Sequence, residues 1–156
     1  MTSELFAETA VVPILVIDDA DDAVKLAETL MYAGFKVIEI TLRTPAALKA
    51  IEAVAKTIPD VSLGAGSIRS PRQLEQALEA GAKFCVSPGF SEAIITEAKL
   101  LEASLIPGAA TAAEIMQLYE QGYDFVKFFP AELSGGVAML KAFSAPLPEV
   151  RFFPTG

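Results

Sequence analysis

Val37-Ile38-Glu39-Ile40-Thr41-Leu42-Arg43 alternates without a break. Ile38, Ile40 and Leu42 form an aliphatic face while Glu39, Thr41 and Arg43 share the other, which is the two-residue period of a β-strand. Phe125-Val126-Lys127-Phe128-Phe129 sorts the same way, with Val126 and Phe128 on one side and Phe125, Lys127 and Phe129 on the other. Short apolar runs of this kind recur along the chain, separated by longer Ala-, Leu-, Glu- and Lys-rich stretches at a repeat of roughly twenty to twenty-five residues, as consecutive strand-helix units would be. The predicted strands are Val11 to Ile17, Val37 to Leu42, Ser62 to Gly66, Phe84 to Ser87, Leu105 to Pro107, Phe125 to Phe129 and Arg151 to Phe153. Parallel strands in that number point to a barrel, in which one face of each strand meets the helices and the other meets the lumen. The polar face of 37–43 then points inward, and so does Lys127.

Helix starts are marked by Asp18-Asp19, Thr44-Pro45, Ser70-Pro71, Ser91 and Thr111, and helix ends by Gly34, Gly81 and Gly122. No linker or low-complexity tract divides the chain, so residues 1–156 read as a single domain. With 53% hydrophobic residues it can bury a core, yet no stretch is long and apolar enough to span a bilayer. A net charge of -8, a pI near 4.5 and the lack of any Lys/Arg run argue against nucleic acid or an anionic membrane as partner. A small molecule is the expected ligand. One cysteine, Cys85, allows no internal disulfide, and the opening residues lack the basic-then-apolar order of a secretory signal, so a cytoplasmic location is expected.

The chain has no histidine. Histidine is the commonest metal ligand and general base, so neither a zinc site nor a triad is expected, although carboxylates alone can hold magnesium. Chemistry then falls to the inward groups, with no metal and no cofactor expected. A lysine among phenyl rings pays a desolvation penalty that favours its neutral amine, the form that attacks a ketone. Glu39 can pair with Lys127 and oppose that shift, but a nearby carboxylate is also what a proton shuttle requires. Arg43, further toward the C-terminal mouth, offers a planar fork for a substrate carboxylate. The plain alternative is a structural Lys-Glu pair plugging a barrel, with Arg43 a strand-end arginine. Cys85 reads as a small buried thiol. Gly64-Ala65-Gly66-Ser67 reads equally as an anion-approaching loop or a tight turn, and Ser134-Gly135-Gly136 as turn chemistry opening a helix that could hold a phosphate.

These residues lie in a chain that resembles the bacterial KDPG (2-keto-3-deoxy-6-phosphogluconate) aldolases. The resemblance runs in order through Val11-Val12-Pro13, Glu39 to Thr44, Gly64-Ala65-Gly66, Ser87-Pro88-Gly89, Ile106-Pro107-Gly108, Lys127 to Glu132 and Pro154-Thr155-Gly156. It implies an α/β fold, a TIM-type (β/α)8 barrel, acting as a homotrimeric class I aldolase of the Entner-Doudoroff pathway. Lys127 would be the Schiff-base lysine and Glu39 the proton-transfer group. Arg43, Ser67, Phe129, Thr155 and Gly156 would line the substrate site, Phe129 against the pyruvyl methyl and Thr155 against a hydroxyl. Ser67 departs from the family's usual threonine, keeping a hydroxyl but losing a methyl. The family pattern continues past Gly156 with a helix, a strand and a helix, so the sequence is expected to supply seven of eight strands, to lack most of the phosphate site, and to fold poorly alone. Two other readings stay open: an aldolase for another 2-keto acid, such as the galactonate epimer or 4-hydroxy-2-oxoglutarate, and a non-catalytic barrel fragment serving as a binding or assembly module.

Overall fold

A computed structural model describes Phe6 and residues 9–156. Among them, strands and helices alternate: β1 (Ile14–Leu15), α1 (Ala20–Tyr32), β2 (Val37–Thr41), α2 (Ala47–Thr57), β3 (Ser62–Gly66), α3 (Pro71–Glu79), β4 (Phe84–Val86), α4 (Glu92–Leu100), β5 (Leu105–Ile106), β6 (Gly108–Ala109), α5 (Ala112–Glu120), β7 (Phe125–Phe128), α6 (Gly136–Ser144) and β8 (Arg151–Pro154). Every pairing is parallel, in the orders β1-β2-β3-β4-β5 and β6-β7-β8. The predicted strand 105–107 is thus confined to Leu105–Ile106, and a second short piece, Gly108–Ala109, follows Pro107. Pro107 has no N–H to donate and interrupts the ladder, but its carbonyl accepts from Lys127 N at 2.9 Å. Chain continuity through Pro107 joins the two sheets into one curved wall.

The alternation read from the sequence becomes two packed layers. Outward Ile38, Ile40, Leu63, Ala65, Cys85, Leu105, Val126 and Phe128 are buried against helix residues such as Ile51, Val54, Leu74 and Leu118. Each fully buried aliphatic of this kind contributes roughly 1.5–3 kcal/mol. Phe128 therefore faces Phe143 and Phe152, not Lys127. The lower lumen is plugged by Val37, Phe84, Val86 and Ile106 with Phe6, Val12, Phe125 and Phe153. All five residues of β2 are buried, as a strand covered on both faces requires.

Caps follow the predicted signals at four helices, on Asp19, Ser70, Ser91 and Thr111, the last in a reciprocal capping box with Glu114. Gly34, Gly81 and Gly122 all adopt positive φ just past their helices. Thr44 does not cap. Its hydroxyl donates instead to the Ile17 carbonyl, and α2 starts at Ala47 without a side-chain cap. That bond has a purpose at the sheet edge. Strand β1 pairs over two residues only, far less than the predicted 11–17, because no strand of the described residues flanks its outer side. Glu39 N to Pro13 O (2.9 Å), Thr41 Oγ1 to Leu15 O (3.0 Å) and the Thr44 hydroxyl hold it to β2. Between β1 and β8 runs an open groove of about 740 Å³, reaching from Phe6 and Phe125 up to Thr155 and Gly156.

Candidate active site

Three polar side chains enter the lumen above the aromatic plug. Lys127 comes from β7 and is 5% exposed, and Glu39 comes from β2 and is 1% exposed. Arg43 lies two residues beyond the end of β2 and is exposed at the mouth. Its Nε donates to Ser67 Oγ at 3.1 Å, which leaves the terminal guanidinium nitrogens free to face an anion. Ser67 sits directly after β3 at φ 60°, a left-handed turn that carries its hydroxyl to Arg43. The backbone of Gly64–Ser67 thus makes a tight turn, and that turn also sets the Ser67 hydroxyl beside the Arg43 fork.

Phe129 follows β7, and its ring lies beneath the Lys127 amine, 4.9 Å from centroid to Nζ. Thr155 and Gly156 follow β8. Their carbonyls accept from Ala131 N and Glu132 N, both at 2.9 Å, which ties the end of β8 to the turn after β7 and lays Gly156 against the Phe129 ring. Arg43 meets Ser67, and Lys127 and Gly156 both meet Phe129, at the C-terminal ends of their strands, while Glu39 lies mid-strand in β2 and Thr155 follows β8. The part of the site that residue types could not reveal is the role of Thr41, whose inward hydroxyl is used to hold β1.

Lys127 and Glu39 shift in opposite directions. Burial holds the Lys127 ammonium below the usual lysine range; Glu39 opposes this and Arg43 adds to it. Burial lifts the Glu39 carboxyl above the usual carboxylate range, more than Lys127 and then Arg43 pull it down. Both groups are thereby moved toward their neutral forms, the state in which an amine can attack and an acid can deliver a proton. No direct hydrogen bond or ion pair joins them, and Glu39 Oε2 is buried without a partner. A structural plug would pair these charges. Thr155 Oγ1 is a second buried oxygen without a partner. Buried oxygens left unsatisfied by the protein fit a site built to meet a polar ligand.

Cys85 lies on the outer face of β4, fully buried, and burial with the nearby Glu39 charge pushes its thiol up to about 12. It is an inert packing residue. Among the described residues no cluster of carboxylates or cysteine could hold a metal ion.

The sequence profile of the KDPG and KHG aldolases matches residues 2–156. This chain belongs to that family. It is 43% identical over 155 residues to a 2-dehydro-3-deoxy-phosphogluconate aldolase of Pseudoalteromonas atlantica, covering 99% of this chain and 72% of that one. It is 44% identical over 146 residues to the KHG/KDPG aldolase of Escherichia coli K12, covering 94% and 68%. The KDPG aldolase of Legionella pneumophila, solved with pyruvate captured as a covalent carbinolamine, superposes with a TM-score of 0.97 at 43% identity, over 100% of this chain and 76% of that one. The fold is therefore the TIM-type barrel of these aldolases, and the enzyme class is that of the lyases. The same comparisons support the predicted family and fold.

Proposed function

We propose that this aldolase cleaves 2-keto-3-deoxy-6-phosphogluconate to pyruvate and glyceraldehyde 3-phosphate through a Schiff base on Lys127. The observation that carries the reading is a buried lysine, held toward its neutral form and unpaired, beside an equally buried glutamate and below an arginine fork. The names of the similar proteins and the covalent pyruvate adduct of the Legionella enzyme support it. The Lys127 amine attacks the ketone carbon, Glu39 relays protons as the carbinolamine loses water, and the iminium results. Glu39 then takes the proton of the C4 hydroxyl, directly or through water. The C3–C4 bond breaks, its electrons flow into the iminium, and the aldehyde departs. Protonation of the resulting enamine and addition of water release pyruvate and the free amine. In this scheme Arg43 and Ser67 hold the carboxylate, Phe129 walls the methyl group, and Thr155 with Gly156 meets a substrate hydroxyl. The smaller 4-hydroxy-2-oxoglutarate, giving pyruvate and glyoxylate, suits the same pyruvyl half-site.

The chain would act as one domain, residues 1–156, within a cytoplasmic homotrimer of the Entner-Doudoroff pathway. Exposed Leu133 and Val137 supply apolar surface for subunit contact. No helix of the described residues is long and apolar enough to cross a membrane.

The test is release of pyruvate from each keto acid after exhaustive EDTA treatment. Turnover is expected to persist, because the iminium does the polarising that a divalent metal does in the other aldolase class. Loss of activity restored by zinc or magnesium would contradict it. The pH dependence has a definite sign. Since burial lowers the lysine's affinity for a proton, the fraction trapped with pyruvate by borohydride should rise with pH and reach half its maximum below the range of a free lysine amine. Intact mass across a pH series reads it.

A further inference from the structure

We propose that Gly66 is the positioning residue for the proposed proton shuttle: its bare Cα forms a slot in the lumen wall that locates the Glu39 carboxylate. The inference rests on the function assigned above to Lys127 and Glu39. A methyl group on Gly66 would lie 1.8 Å from Glu39 Oε1, 2.6 Å from Cδ and 3.0 Å from Cγ, so the carboxyl group lies directly against this glycine. Just below, a methyl on Gly64 would lie 2.2 Å from two atoms of the Phe84 ring, so that ring covers the neighbouring stretch of β3 and forms a floor. The register places Glu39 beside Gly64 and Thr41 beside Gly66, so the Glu39 side chain leans across β3 toward the mouth.

Glu39 Oε2 is buried without a partner, while Oε1 is the atom set against Gly66. The carboxylate is therefore located by shape, with Oε2 free to exchange a proton. A hydrogen-bond cradle would hold it as firmly but would occupy the lone pairs that a shuttle uses. The Phe84 ring closes the way down and a methyl on Gly66 closes the wall, so the carboxylate is displaced into the lumen, where its attraction to the Lys127 amine draws it toward the opposite wall. A carboxylate moved closer holds the lysine's proton more firmly, and the pair drifts toward the structural ion pair that the parent avoids.

The test compares the parent with Gly66→Ala, using pyruvate as probe. Two readouts are taken: exchange of the pyruvate methyl protons for deuterium by NMR, and the pH midpoint of borohydride trapping. In the variant, exchange should fall by about tenfold or more, and the midpoint should rise by about one pH unit, with trapping recovered in alkali. Parent-like exchange and midpoint would overturn the proposal. If the parent itself fails to trap pyruvate, the failure belongs to the aldolase reading. Thermal unfolding covers the case of a misfolded variant. Introducing Gly66→Ala into a Glu39→Ala background, where the carboxylate is gone, should lower Tm much less than in the parent. An equal loss in both backgrounds would show that Gly66 serves the backbone alone and would refute the slot.

Discussion

Lys127→Ala is expected to reduce cleavage of the keto acid by at least about four orders of magnitude, because it removes the amine proposed to bond covalently to the ketone carbon. Secondary structure and Tm should survive, since deleting a buried, desolvated amine removes a group whose burial is itself unfavourable. Lys127→Arg separates charge from nucleophilicity. A guanidinium stays protonated at every accessible pH, so this variant should be as inactive as the alanine variant despite its retained charge. Activity in Lys127→Arg above about one percent of the parent, in a coupled assay of pyruvate release, would mean that a positive charge and not an amine is what the site needs.

Glu39→Gln is the second large effect, and it is expected to act in two directions. Turnover should fall by about two to four orders of magnitude while pyruvate binding stays close to that of the parent, because the amide keeps the shape but cannot take a proton. Stability should show the opposite trend. The folded state raises the Glu39 pKa, so it binds this proton more tightly than the unfolded chain does. Its contribution to stability is therefore fully present in acid, below the ordinary carboxylate range, and is lost as pH rises through the raised value. The glutamine variant lacks that titration, so its Tm relative to the parent should improve on going from acid to neutral pH. A Tm difference that is flat with pH, or turnover unchanged by the substitution, would return Glu39 to a packing role. A carboxylate that destabilises the fold at the pH of function is the kind of cost an active site carries.

Much of this site was legible because barrel strands are two-faced in a simple way. Glu39, Thr41 and Arg43 could be placed in the lumen from their alternation with Ile38, Ile40 and Leu42, and Lys127 from its place between Val126 and Phe128. Caps on Asp19, Ser70, Ser91 and Thr111 were legible because a hydroxyl or carboxylate immediately before a helical run finds its partner in a backbone N–H two or three residues on. The departures all involve partners distant in sequence. Thr44-Pro45 looks like a helix start, yet the hydroxyl goes to the Ile17 carbonyl, 27 residues away. Strand 105–107 breaks at Pro107 because the chain changes pairing partner there, from β4 to β7. Gly66 reads as a turn glycine in its own tetrapeptide, and nothing local says that a carboxylate from β2 crosses it. Periodicity reports which face a residue occupies, while a close approach depends on two strands at once.

The most direct measurement is peptide mapping by mass spectrometry after reduction of the protein with borohydride in the presence of pyruvate. One reduced pyruvyl adduct is expected, on the peptide containing Lys127 and absent from Lys127→Ala. An adduct on another lysine, or none in protein shown to be folded, would contradict it.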